Sequence, residues 1–438
     1  MKLQILTVFL LYFLPWPAGA QEIITLERVM EEVLKNNHQI KTYETNAKIA
    51  ENTHRPGAAG LLPTVTANAG IGYSNKNTSL EMFSNPNPIE QNGAQSYSGN
   101  ASLNLQYVLF DGLASYKSFA RLGFAADIEN ANTRASIEAT LINVVTVYYG
   151  MVAAQNNVSV AQENITISRD RWQRADERYS TGSTSGVEVL SAKVDMHTDS
   201  VLLLNALNNL RIARENLRML TAYSIPEACM ADTSILLGSE MLLSELEKLA
   251  AQNNASLVNA RLRKLLTEKD VEISGGAYAP KLMLNGSYGY NWTKNEVGFL
   301  LQNKTLGLDA GISLVYPLFS GGTRDMQRQN AKLQYESAKE MEMLTNDQLR
   351  RDLTNAYSSY ETARSVHLLE ELNAQSAREN FLRTREIYLL GKATNVQLRE
   401  AQLNYLRSRI QITTSKINVR LSEFELLRLS GLLIQRKS

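Results

Sequence analysis

Hydrophobic positions along this chain follow two different periods. From Thr323 to Leu390 there is neither glycine nor proline, and apolar residues recur every three or four positions, as in Leu353, Tyr357 and Tyr360. A matching stretch from Ala114 to Thr181, interrupted only by Gly123 and Gly150, carries Leu141, Val144, Tyr148 and Met151 at the same intervals. Such spacing places the apolar residues on one stripe of a helix, with charged and amide side chains opposite. It predicts long helices over 114–181 and 323–390, each about 100 Å at 1.5 Å per residue. Helices that long need partners along their length. Shorter periodic segments, Leu26 to His54, Val187 to Ala222, Leu242 to Ile273 and Val396 to Leu429, supply them. Two such halves laid end to end match one long helix, and the breaks at Gly182–Gly186 and Gly391–Asn395 give hairpin turns between antiparallel helices.

Elsewhere the period is two. Val65, Ala67, Ala69, Ile71 and Tyr73 alternate with Thr66, Asn68, Gly70, Gly72 and Ser74, and similar alternation predicts strands at 64–74, 99–109, 281–292 and 305–316. Strands of about 10 residues, apolar on one face, small or polar on the other, with Tyr and Trp near their ends, suit a transmembrane barrel wall. Alternation alone describes a soluble sheet with one face on a core equally well. What favours the membrane is the export signal described below, together with long charged helices that would have to be covered if they served a soluble sheet. Four strands cannot close a barrel, and open edges are not tolerated in lipid, so the chain must oligomerise. A trimer with twelve strands is the simplest closed answer. The polar stretches Asn75–Tyr97 and Thr293–Lys304 are expected as loops at one mouth, with the helices at the other.

The pattern occurs twice. Leu109-Phe110-Asp111-Gly112 recurs as Leu318-Phe319-Ser320-Gly321, and the same offset carries Tyr148 onto Tyr357, Tyr179 onto Tyr388, Gly182 onto Gly391 and Ala192 onto Ala401. Asn36-Asn37 recurs at Asn253-Asn254, and Leu62-Pro63 is echoed by Ala279-Pro280. A constant offset across several pairs indicates an internal duplication. The expected organisation is a first repeat over 21–223, an inter-repeat segment over 224–239, a second repeat over 240–433 and a tail over 434–438. The fold class is thus mixed alpha and transmembrane beta, with long antiparallel helical hairpins and four membrane strands per chain.

Charge and composition narrow the function. With 45 Lys plus Arg against 44 Asp plus Glu in 438 residues, no basic excess marks a nucleic-acid partner. Lys2, the apolar run Ile5–Leu14 and Ala18-Gly19-Ala20 have the form of a secretory signal peptide over 1–20, too short to span a bilayer. A single cysteine, Cys229, forbids an intrachain disulfide and any Cys-rich metal site. His38, His54, His197 and His367 have no ligand spacing, and no phosphate loop or activated nucleophile is present, so no metal, cofactor or catalytic residue is expected.

In order, spacing and duplication, nearly all of the mature chain resembles the outer-membrane efflux factors, the TolC-like family. The resemblance rests on Leu62-Pro63 before the first strand, and on the turns Leu109–Gly112 and Pro317–Gly322. It rests equally on Tyr179–Gly182 with Val187, Val189, Leu190 and Ala192, and on Gly391, Val396, Leu398, Ala401 and Gln402. It implies a homotrimer whose twelve-stranded β-barrel sits in the outer-membrane lipid of a Gram-negative bacterium, continued by a periplasmic α-helical barrel. The implied partners are a periplasmic adaptor (membrane fusion) protein and an inner-membrane pump of RND or ABC type. The implied function is passive conduction of small molecules to the exterior, with type I protein secretion as the alternative. A coiled-coil adhesive protein with a small soluble sheet is the competing structural reading.

Site residues follow from the same resemblance. The family's periplasmic gate corresponds to Glu188, Gln397, Arg399 and Glu400; Gln397 and Glu400 fall on its acidic positions, so one of the two carboxylates is an amide here. Arg399 stands where the first copy has Leu190, and is expected to face Glu188. Read without the resemblance, these are solvated charges beside a turn. The adaptor-docking tips correspond to Thr181, Gly182, Ser183, Leu390, Gly391 and Lys392, and the barrel–helix turns to Pro63, Gly112, Pro280, Pro317, Gly321 and Gly322.

Overall fold

The computed structural model describes residues 22–82, 85–298 and 300–434; the expected signal peptide and residues 435–438 of the tail lie outside them. The elements run β1 (Ile23–Ile24), α1 (Leu26–Asn36), α2 (His38–Thr53), β2 (Thr64–Met82), β3 (Asn85–Phe110), α3 (Ala114–Ser180), α4 (Gly186–Leu220), β4 (Met230–Ala231), α5 (Leu243–Asn253), α6 (Ala255–Gly276), β5 (Lys281–Asn295), β6 (Gln302–Val315), α7 (Thr323–Leu389) and α8 (Asn395–Leu429). Duplication is visible in the lengths: α3 and α7 have 67 residues each, and α4 and α8 have 35.

The chain forms two compact units, each drawn from both halves of the sequence. One comprises, of the described residues, Glu22–Glu44, Thr133–Ala255 and Asp347–Ile434; the other comprises those of Thr45–Asn132 and Ser256–Asn346.

In the first unit, the stripes of α1, α3, α4 and α8 meet in a single core that includes Val29, Val33, Leu141, Val144, Met151, Leu217 and Phe424. The inter-repeat segment is anchored there. Its short strand β4 pairs in parallel with β1, matching Ile23 to Met230 and Ile24 to Ala231. Tyr148 donates to the Ile24 carbonyl at 3.0 Å and accepts from the Asp232 N–H at 3.1 Å, while the Gln155 amide pairs with both backbone groups of Ala231 at 3.1 and 2.8 Å. Tyr357, the second-copy counterpart of Tyr148, donates to the Met241 carbonyl at 3.3 Å. Cys229 is fully buried in this core, and burial pushes its thiol pKa up.

Two predicted helices are each broken. Leu26–His54 divides at Asn37 and Leu242–Ile273 divides at Asn254, both of which leave the helical region at ψ near 125 and 122 degrees. The reason is a side chain that serves the backbone. Asn37 accepts from the N–H groups of Gln39 and Ile40, so it caps α2, and donates to the Leu220 carbonyl at 2.8 Å at the end of α4. Asn254 donates to the Leu429 carbonyl at 3.0 Å, the equivalent position at the end of α8. A buried asparagine that closes a helix end favours the cap over helix continuation.

In the second unit, four strands form an antiparallel sheet in the order β2-β3-β5-β6. Its register keeps one face apolar, with Val65 opposite Leu105, Leu103 opposite Tyr288 and Leu284 opposite Ile312. The expected loop Asn75–Tyr97 is corrected: β2 and β3 continue the hairpin, pairing Asn75 with Gln95 and Ser79 with Glu90 across a register shift. The stretch Thr293–Lys304 is likewise shortened, since Lys294 pairs with Gln302. Polar side chains do not end a ladder whose backbone groups remain mutually satisfied.

Candidate functional site

Both hairpin tips close with the same turn. In the first, the Ser183 N–H bonds back to the Arg178 carbonyl at 2.7 Å and Gly182 sits at φ +74°. In the second, the Lys392 N–H bonds to Ile387 at 3.0 Å and Gly391 sits at φ +71°. This is the closure of a helix end through a left-handed residue, which glycine adopts without steric cost. Thr181, Gly182, Ser183, Leu390, Gly391 and Lys392 are all exposed.

The two tips differ in how the returning helix starts. Ser185 precedes α4 without a side-chain cap, whereas Thr394 and Gln397 form a reciprocal capping box: Gln397 N–H donates to Thr394 Oγ1 at 3.2 Å, and Thr394 N–H donates to Gln397 Oε1 at 2.8 Å. Gln397 therefore fixes the first turn of α8. Glu400 is exposed, one turn further along the same helix.

The expected Arg399–Glu188 contact is not formed. Glu188 instead accepts a hydrogen bond from the Thr184 hydroxyl of its own turn. Arg399 makes a bidentate pair with Asp199 of α4, at 2.7 and 2.9 Å, and its Nε lies 3.8 Å from Asp195. Axial position explains the difference: spaced i, i+7 and i+11, Glu188, Asp195 and Asp199 share one face of α4, but Glu188 lies in its first turn, about two to three turns nearer the tip than the two aspartates.

Around this pair lies a buried polar network that joins three helices. From α3, Arg171 donates to Asn395 Oδ1 at 3.0 Å, Gln402 Oε1 at 3.0 Å and Asp195 Oδ2 at 2.8 Å. The Gln402 amide donates to Asn164 Oδ1 at 2.6 Å, and Ser168 donates to the Asp199 carboxylate. Asp199 and Gln402 are completely buried. Burial opposes the Arg399 charge, but the Asp199 bond and charge outweigh it and hold its pKa above the usual arginine value. With two arginines and two aspartates, the cluster is neutral, and its groups satisfy one another.

Sequence reading singled out Arg399 and Gln402 but missed Asn164, Ser168, Arg171, Asp195 and Asp199. A signal existed: 164, 168 and 171 on α3, and 395, 399 and 402 on α8, share one helical stripe each. The network also breaks the duplication, because the first-copy counterparts of Asn395, Arg399 and Gln402 are Gly186, Leu190 and Lys193.

Among the barrel–helix turns, Gly112 is constrained twice over. Its φ is +72°, and an added Cβ would meet Ala279 Cβ and the Gly276 carbonyl, each at 2.7 Å. Gly321 and Gly322 also have positive φ but face open space. Pro63 and Pro317 are exposed, and Pro280 is half-buried, each beside the end of a sheet strand. Among the described residues no group of three or more His, Cys, Asp or Glu could hold a metal ion.

Comparison with known proteins agrees with this architecture over most of its length. The chain is 20% identical to the outer membrane protein TolC of Escherichia coli over 410 residues, covering 92% of this chain and 81% of that protein. It is 24% identical over 318 residues to the alkaline protease secretion protein AprF of Pseudomonas aeruginosa, covering 69% of this chain and 63% of that protein. The fold matches the outer membrane channel CmeC of Campylobacter jejuni with a TM-score of 0.77 at 17% identity, covering 93% of this chain and 86% of that one. The family model described as outer membrane efflux protein matches residues 29–222 and 246–432, so the chain belongs to the outer membrane efflux protein family.

Proposed function

We propose that this protein is the passive outer-membrane conduit of a tripartite efflux assembly, a homotrimer that receives small molecules from a periplasmic adaptor and an inner-membrane pump. Family membership places the chain in the outer membrane as an efflux channel and not an enzyme. The observation that carries the trimer is the sheet itself. Its outward apolar face is exposed, with Ile71, Leu308 and Leu314 among its residues, and β2 and β6 are its edges. Lipid supplies no partners for an open edge, so β6 of one protomer closes on β2 of the next until twelve strands form a barrel. The helices of three protomers line a periplasmic tunnel.

The gate is assigned to the hairpin tips, and the exposed residues from Thr181 to Ser183 and from Leu390 to Lys392 form the adaptor-docking surface. Of the four gate residues, Glu400 is the one whose three carboxylates ring the axis; Gln397 shapes the helix start, Glu188 braces its own turn, and Arg399 positions α8. Like charges at a constriction repel unless cations compensate them, so this ring favours cations. Type I protein secretion remains the second reading, supported by the likeness to a protein named for protease secretion.

Mass measurement of the detergent-solubilised protein tests the assembly, with a trimer expected; a monomer that retains native structure and conductance would refute the closed barrel. In planar bilayers, Arg399→Ala is expected to raise basal conductance and Glu400→Gln to weaken cation selectivity. Crosslinking in intact membranes distinguishes a drug or metal pump from a protein exporter as the partner.

A further inference from the structure

The register of the sheet sorts every strand residue onto one of two faces. On β2 from Thr64 to Gly72, and at every position registered with that face on β3, β5 and β6, the residues are Thr, Ser, Asn, Gln or Gly, with one exception. The exception is Asp309 on β6. It lies in a row running Thr66, Asn104, Ser287, Asp309 across the four strands. The flanking rows of the opposite face, Val65 through Ala310 and Ala67 through Leu308, contain Leu105, Leu103 and Tyr288 and carry no charge. Asp309 therefore sits at the depth of the apolar band but on the face turned away from it.

We propose that Asp309 is a second selectivity determinant of the channel, whose three copies form a carboxylate ring inside the β-barrel that favours cations, organic cations included, over anions. This inference rests on the closed trimeric barrel proposed above. A three-fold axis brings the three Asp309 side chains to one level, whatever the tilt of the strands. The carboxylate is exposed, and among the described residues it forms no ion pair or side-chain hydrogen bond. Its neighbours on the same strand face are Gly307 and Gly311, where an added Cβ would meet nothing within 4 Å. Nothing on its own strand shields it from a passing solute. Surrounding amides and hydroxyls offer dipoles without net charge, so the three carboxylates set the sign of the potential, and the low-dielectric wall concentrates it.

Reversal potentials in a potassium chloride gradient test this on the full-length trimer. Asp309→Asn is expected to reduce the potassium-to-chloride permeability ratio about twofold or more at 0.1 M salt, and to match the parent at 1 M, where the screening length has fallen to about 3 Å. Asp309→Cys provides an independent arm within a single folded protein. A water-soluble thiol reagent bearing a sulfonate should restore cation preference to that variant, and one bearing a quaternary ammonium should lower it further. Cys229 is buried, so the parent should not respond to either reagent. Ala310→Cys, on the other face, should not react. Unchanged selectivity in both Asp309 variants, with the parent conducting and Glu400→Gln altering selectivity, would overturn the inference and leave discrimination at the tips. A parent that forms no pore would overturn the channel reading and this inference with it.

Discussion

Removing one member of the Arg399–Asp199 pair should destabilise the attachment of α8 far more than removing both. Asp199 is fully buried and the Arg399 side chain is 16% exposed, so neither charge is relieved by water when its partner is lost. In Asp199→Leu the guanidinium keeps only the Ser168 hydroxyl at 3.4 Å and Asp195 at 3.8 Å, and Asp195 already serves Arg171. Breaking a buried pair from one side costs about 3–5 kcal/mol, whereas replacing both partners by apolar residues of similar volume is nearly neutral. Asp199→Leu and Arg399→Met are each expected to fall in that range, and the double variant within about 1 kcal/mol of the parent, giving a coupling energy of at least about 5 kcal/mol. The assay is hydrogen exchange of the α8 amides in detergent, which reads local opening, alongside thermal unfolding. Because the pair is buried, raising salt from 0.1 to 1 M should change the coupling little. Single variants costing under about 1 kcal/mol, or an additive cycle, would refute the argument and make Arg399 an ordinary surface charge.

The asparagine caps should behave alike in both copies: Asn37→Ala and Asn254→Ala each remove a buried bond to a helix end and should cost about 1–3 kcal/mol in thermal unfolding. Leu105→Arg should impair membrane assembly with a cost of about 2–4 kcal/mol near the bilayer centre, while Asn104→Arg on the opposite face is milder; equal damage in a membrane-insertion assay would mean the faces are misassigned. Burial pushes the Glu138 carboxyl above its usual pKa despite the Arg134 bond, so its folded form favours the proton. That contribution is complete below the unfolded value of 4.5 and is lost as pH rises through the higher folded value. The stability of Glu138→Gln relative to the parent should therefore decline from pH 7 to 4.5, and a pH-independent difference in melting temperature would exclude this account.

Local pattern determined a great deal here. The period of 3.6 residues is intrinsic to a helix, so the glycine- and proline-free run from Thr323 located α7 to within a residue of its observed end at Leu389. The period of two is equally intrinsic to a strand, which is why Leu103 and Leu105 could be assigned to one face before any partner strand was known. A constant offset across several residue pairs exposed the duplication, and the tip glycines are among them because both helices end in a left-handed turn residue.

Other features depended on partners that the sequence does not specify. Strand ends in the β2–β3 hairpin follow from whether opposing backbone groups continue to pair, and polar side chains such as Asn75 and Gln95 give no sign of it. The breaks at Asn37 and Asn254 exist because the ends of α4 and α8 present carbonyls to them. Above all, the choice of Asp199 over Glu188 as the partner of Arg399 is a matter of tertiary structure. Both acids lie on one face of α4, about three turns apart, and sequence spacing admits either, but which one Arg399 meets depends on the axial offset between α4 and α8. That offset is set by the packing of α3, α4 and α8 as a whole, so the sequence alone supplied the charges and only the tertiary structure decided which of them met.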